Sequence, residues 1–301
     1  MALKAGYSTT HFHMEIEGFS AGYLSSFQPP SYEAEEAAGG LGPDYLTRKM
    51  VGVPKIGEAT GVVNISQGGK LLAWIASVWE KKCLHQNTTI HLADQDYKIK
   101  RSIEMQDCLI TAIEFPELKA SEGKKHLEVT AKWKPADIFF KPGSGTVQSQ
   151  LGQKAKSWMT ANFDVHPVFG LKTNWITSAS LPKITAKLAT EAYGEMRNTV
   201  PLYASIEFGT IKLEIGAQGF DAARDLAIKI IRNGNIEKSA DDIIIDMLDQ
   251  TMKKTLGTFT MDSCLLKKFD WAGKLEGGKD QAAVTTLEFL VEDFRFQIAH
   301  K

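Results

Sequence analysis

Four short stretches carry residue types that could do chemistry. His11-Phe-His13 puts two imidazoles on one face of an extended segment, where they could share a metal ion if further ligands came near. Asp94-Gln-Asp96 has the alternating acids of a cation loop, but neither it nor the related Asp249-Gln-Thr251 offers the full series of oxygens that calcium requires, so a plain turn is expected. Cys83 follows Lys81 and Lys82, whose charges could lower a thiol pKa. No His and Asn partners can be read beside it, so packing at a helix end is its expected role. Gly39-Gly-Leu-Gly42 and Gly57-Glu-Ala-Thr-Gly61 are glycine-rich, yet neither is a phosphate-binding fingerprint opening the required helix. Three cysteines and seven histidines include no CxxC or HExxH spacing. The expectation is a protein with no catalytic residues, no cofactor and no metal.

The elements that would have to position such residues are present twice. Residues 105–140 and 261–296 align without a gap: Met105, Cys108, Leu109, Thr130, Asp137 and Phe140 recur as Met261, Cys264, Leu265, Thr286, Asp293 and Phe296. Glu114 stands opposite Asp270, Phe115 opposite Trp271, and Trp133 opposite Phe289. Upstream, Ile90-His-Leu-Ala-Asp-Gln-Asp-Tyr-Lys98 matches Ile245-Asp-Met-Leu-Asp-Gln-Thr-Met-Lys253. The chain therefore reads as a tandem duplication: residues 1–143, a linker over 144–157, and a divergent second copy over 158–301.

Bulk properties fit two soluble units. The 301 residues are 43% hydrophobic and 24% charged, with a net charge of −1. Residues 1–150 hold 16 basic and 17 acidic side chains, so neither half presents the excess of positive charge that nucleic acid or an anionic membrane would call for. An odd number of cysteines is not a disulfide framework, and Cys108 and Cys264 are expected as small buried hydrophobes of two cores. No leader pattern and no membrane-length apolar run is visible, so synthesis in a reducing cytoplasm is expected.

Residues 11–17 alternate apolar and polar, a half-buried strand closed by Gly18, and residues 22–27 form a second strand stopped by Pro29-Pro30. Residues 31–57 read as an unusually long connection, of the kind that serves function or a partner. A strand over 61–67 leads into a helix in which Leu71, Trp74, Ile75, Val78 and Trp79 form one apolar stripe. Strands follow over 88–92, 99–105, 108–115 and 126–140. The second copy repeats this order with a strand over 209–215 and a helix over 220–231. Residues 239–254 carry helix-like signals, but the repeat assigns them strand, turn and strand. The fold class is mainly β (α+β), two tandem β-barrel or sandwich units with one flanking helix each. Expected core residues are Trp74, Trp79, Cys108, Trp133 and Phe140, with Leu226, Cys264, Phe289 and Phe296.

Residues 12–140 resemble the tail-tube proteins of contractile phages and extracellular contractile injection systems, a group sharing its fold with the type VI secretion tube protein. The resemblance lies in the order of Phe12-His-Met-Glu-Ile-Glu-Gly18, Lys49-Met-Val-Gly52-Val-Pro-Lys55, Leu72-Ala-Trp74-Ile75, Thr89-Ile-His-Leu-Ala-Asp94-Gln-Asp96 and Met105-Gln-Asp-Cys108. It implies six barrels joined in a ring, rings stacked into a conduit, and a long loop reaching a neighbouring subunit. Ser31, Glu35, Asp44, Tyr45, Lys49 and Lys55 are the inter-subunit candidates on that loop. The implied partners are copies of the chain itself, as a trimer of double units or a hexamer, with other tube, sheath or baseplate proteins. Cargo or DNA would pass through the lumen, no membrane would be bound, and the product would end in a virion tail or injection particle. Two tube units per chain are also a feature of hub proteins, so a tube-end, junction or hub-like adaptor stays open beside the tube proper. A small-ligand-binding β-barrel and an enzyme with its site on the long loop are the readings of other classes.

Overall fold

The computed structural model describes residues 11–22, 24–39, 48–82, 84–123, 125–147, 158–192, 199–234, 240–271 and 284–298. Strands dominate. The first half runs β1 (Phe12–Ile16), β2 (Phe19–Ser20), β3 (Leu24–Gln28), β4 (Tyr32–Gly39), β5 (Arg48–Ile56), β6 (Ala59–Asn64) and α1 (Gly69–Trp79), then β7 (Gln86–Ala93), β8 (Ile99–Glu114), β9 (Leu118–Lys119), β10 (Glu128–Lys134) and β11 (Asp137–Pro142). The second runs β12 (Phe163–Val165), β13 (Ile176–Ser180), β14 (Ile184–Ala192), β15 (Thr199–Phe208), β16 (Thr210–Ile215) and α2 (Phe220–Ala227), prolonged by a π turn over Ile228–Arg232. It ends with β17 (Asp241–Leu248), β18 (Thr255–Asp270), β19 (Thr285–Leu290) and β20 (Asp293–Ile298).

The ladders of the two halves correspond pair for pair, all antiparallel. In the first half β1 joins β7, β7 joins β8, β8 joins β10 and β11, β10 joins β6 and β6 joins β3. In the second, β12 joins β17, β17 joins β18, β18 joins β19 and β20, β19 joins β16 and β16 joins β13. Registers correspond too: Leu24↔Val63 recurs as Ile176↔Ile215, and Thr130↔Glu114 as Thr286↔Asp270. Even the left-handed residues match, Asp107 and Ser263 at φ 48° and 53°, Tyr97 and Met252 at 60° and 58°. Such single residues mark places where a ladder must bulge or turn, and the chain turns at the same places twice.

Period-two alternation accounts for the strands. β6 and β10 bury every second side chain, and Val63, Val129, Ala131 and Trp133 point into the first core. Gly61 leaves room for the Trp133 ring, because a Cβ there would meet its atoms at 2.8 Å. α1 buries the stripe Leu71, Trp74, Ile75, Val78 and Trp79, and the Trp74 indole donates to the Leu84 carbonyl at 3.0 Å. Trp133, Phe259, Phe289 and Phe294 fill the interior of the sheets as fully buried side chains.

Three expectations need correction. The connection over 31–57 is largely a regular hairpin, β4 with β5, because Tyr32, Ala34 and Glu36 find ladder partners in Ile56, Pro54 and Val51. The segments 99–105 and 108–115 are one 16-residue strand, β8, which absorbs Asp107 as a bulge. The segment 126–140 is two strands, β10 and β11, divided at Pro135-Ala136, since proline donates no ladder hydrogen bond.

Candidate assembly interface

Among the described residues, none of the four chemistry-bearing stretches gathers catalytic geometry. His11 lies against the Tyr97 ring, with centroids 4.7 Å apart. His91 Nδ1 is 2.8 Å from Ser102 Oγ, and its Nε2 is 3.5 Å from Glu15. Burial pushes the His13 pKa down, with Glu15 opposing and His91 adding to the shift. Among the described residues no three His, Cys, Asp or Glu side chains come together as a metal set. Asp94 Oδ1 accepts from the backbone N–H groups of Asp96 and Lys98 at 2.9 and 3.0 Å, and Asp249 Oδ1 accepts from Thr251 and Lys253 at 3.0 and 3.2 Å. Both are self-capped turns, as the sequence suggests. Cys108 and Cys264 are buried thiols pushed up to about 12 by desolvation. Cys83 lies outside the described residues.

What the chain does build is a seam between its halves. β14 adds to the free edge of β8, pairing Ile184 with Ile113 and Thr185 with Ala112. Its hairpin partner β15 completes that arm. At the seam Lys183 reaches Glu114 at 2.6 Å while Lys132 reaches the same carboxylate at 3.3 Å. The hydrogen bond from Lys183 holds the Glu114 carboxyl below the usual carboxylate range, against the smaller opposing effect of burial and with Lys132 reinforcing it. A second ladder joins β9 to β13, where Ser178 Oγ donates to Glu117 at 2.9 Å and Lys119 pairs with the same residue at 2.8 Å. Burial pushes the Glu117 carboxyl up, and these donors together outweigh it and hold the pKa low. Backbone bonds Leu127 N to Trp158 O and Thr160 N to Lys125 O, 2.8 and 3.0 Å, stitch a third line.

Aromatic rings close the seam from behind. Phe115 packs on Phe259 and Phe294, each at 5.4 Å between centroids, and Trp79 meets Phe294 at 5.8 Å and Phe296 at 6.3 Å. Lys81 crosses to Asp293 at 3.3 Å. One apolar cluster consequently runs through both halves.

The first-half counterpart of the docked arm stands apart. β4 and β5 form a two-stranded sheet of their own, joined to no other strand among the described residues. Of the loop residues named from sequence, Ser31 sits at its base, exposed, with its carbonyl accepting from Gly57 N–H at 2.8 Å. Lys49 pairs with Glu36 at 3.2 Å in the open, and exposed Lys55 stands across the ladder from Glu33. Glu35 lies on β4, and Asp44 and Tyr45 fall outside the described residues. Met50 and Val51 on β5 are exposed apolar side chains.

Among the expected core residues, Trp74, Trp79, Cys108, Trp133, Leu226, Cys264, Phe289 and Phe296 are buried. Phe140 is not. It sits on β11 facing outward, although its repeat counterpart Phe296 is covered by Trp79, Trp158 and Phe259. Sequence reasoning weighed residue type and missed Phe140, Tyr32, Ile231 and Trp271 as surface features. The repeat alignment itself carried the signal, since Phe140 and Trp271 stand opposite residues that the seam covers.

No protein-family model matches the chain, and no curated protein matches it. Several solved structures are similar to it. A tube-terminating cap of the anti-feeding prophage is 16% identical with a TM-score of 0.38, the match covering 52% of this chain and 96% of the cap protein. A chain of the PVC sheath–tube complex, an extracellular contractile injection system in its extended state, is 16% identical with a TM-score of 0.39, covering 47% and 95%. Hcp1 from Flavobacterium johnsoniae is 12% identical with a TM-score of 0.28, covering 46% and 95%.

Proposed function

We propose that this chain is a structural subunit of a phage-like tail tube or contractile injection conduit, in which three chains supply the six units of a ring and no chemical step is performed. One observation carries the reading. A hairpin of one half is hydrogen-bonded onto the edge of the other, while the corresponding hairpin β4–β5 has no such edge among the described residues. An unpaired hairpin and an unpaired edge are liabilities for a lone protein and joints for an assembling one. The sequence resemblance of residues 12–140 to tail-tube proteins names the kind of assembly in which those joints serve. Interiors filled by Trp133, Phe259, Phe289 and Phe294 favour this over a ligand-binding barrel.

Within this reading the partners are copies of the chain, stacked rings, and sheath or baseplate proteins. Cargo or DNA occupies the lumen, and the protein, made in the bacterial cytoplasm, ends in the particle. The two halves differ in side chains wherever they join, so they occupy non-equivalent places, which favours a tube-end or hub-like position beside the tube proper. Electron microscopy of the concentrated protein, or of the purified particle, tests the reading. A three-fold ring with a six-unit wall is expected, lost on deleting residues 35–44 while the circular dichroism spectrum is kept. A particle with this chain outside the central channel would overturn it.

A further inference from the structure

Resting on the ring reading, we propose that the seam inside one chain is repeated between chains: the second half of one copy receives the β4–β5 hairpin and β11 of the next, through Phe269, Lys268, Trp271 and Ile231. The two halves correspond position by position. Each residue that makes the internal seam has a counterpart at the same ladder position in the other half. If the contact recurs between copies, those counterparts must be exposed and complementary in the single chain.

Tyr32, Trp271, Ile231 and Phe140 are exposed. Ile184, docked against Ile113 at the seam, corresponds to Tyr32, 58% exposed, and Ile113 corresponds to the half-buried Phe269 beside the open edge of β18. Phe115, covered by Phe259 and Phe294, corresponds to Trp271, 59% exposed, for which the next copy offers the half-buried Ile103 on β8. Trp79, 7% exposed under Phe296, corresponds to Ile231, 49% exposed, and Phe296 corresponds to Phe140, 69% exposed. Four of the large apolar side chains that solvent touches are thus the mates of residues packed within the chain, three of them buried and Phe115 half-buried. Chance exposure scatters single residues, whereas these fall on two faces that match each other.

Charge agrees. Thr185 faces Ala112 across the internal ladder, and their counterparts are Glu33 and Lys268, both exposed. Lys267 is held by Glu288 at 3.2 Å, while Lys268 lies 3.7 Å from Asp270 and is 62% exposed, and the described strand partners β17, β19 and β20 leave residues 268–269 open on the side where β14 docks in the first half. A Glu-bearing strand added to a Lys-bearing edge pairs opposite charges directly across a ladder. The contact joins unlike faces of two copies, so it propagates head to tail and closes as a ring rather than as a two-fold dimer.

The test is a pair of cysteines at one ladder position, Glu33→Cys with Lys268→Cys, in the full chain carrying Cys83→Ser. Antiparallel neighbours fall within disulfide range. Oxidation is expected to link two and then three chains for the double variant, and none for either single variant. As a second measure, Glu33→Lys should lower the assembled fraction about tenfold or more, and adding Lys268→Glu should restore it. A disulfide confined to the single-chain band, or a three-chain ring without the link, overturns this contact and leaves the ring reading standing. Absence of any multimer, linked or not, removes the ring reading and this inference with it.

Discussion

At the scale of single residues, Phe140 and Phe296 show how little of burial is written in residue type. They occupy one position of one ladder, Phe140 opposite Ile103 and Phe296 opposite Phe259, and differ only in what lies above them. In the dispersed chain, Phe296→Ala should cost about 3–5 kcal/mol, as aromatic truncations in cores do. Phe140→Ala should change stability by no more than about 0.5 kcal/mol, as at exposed sites. Urea unfolding of both variants measures the contrast, and equal losses would show that Phe140 is covered within the chain. The sequence named both as core because it carries spacing and chemistry but not the tertiary cover that one half lends the other.

At the scale of elements, both helices and most strands of the two large sheets were legible from periodicity, and the correspondence of the two halves from the repeat. Residues 241–254 are the clearest case, because their local helix signals lose to a ladder with β18 whose inward side chains Ile243, Ile245 and Met247 are wholly buried. The arms β4–β5 and β14–β15 were not legible as elements. An arm without a core face shows little alternation, so Glu-rich β4 reads as a connection. The arm that docks brings a titratable joint with it. Because the folded Glu114 carboxyl is held low, its contribution is present above the unfolded carboxylate value of about 4.3 and is lost as pH falls through the lower folded value. The melting temperature should therefore drop more steeply with acid for the native protein than for Glu114→Gln, the two curves converging at the acidic end. Parallel curves would mean that Lys183 holds Glu114 to no effect.

At the scale of the molecule, the two halves read as a repeat and share one apolar cluster. Trp79, Phe115 and Leu118 of the first half have their cover in the second, so neither half alone completes its core. Residues 1–147 and 158–301 expressed as separate chains should each aggregate and, expressed together, purify as a complex; two stable and independent products would contradict the shared cluster. The internal seam also has a thermodynamic consequence. Its two sides are tethered, so each meets the other at an effective concentration on the order of millimolar, whatever the dilution of the protein. The repeated contact between chains has no tether and must overcome the lost freedom of a second body. One geometry thus exists in two strengths, one saturated from synthesis and one set by how many copies are gathered, and the peptide bond between the halves is what separates folding from assembly.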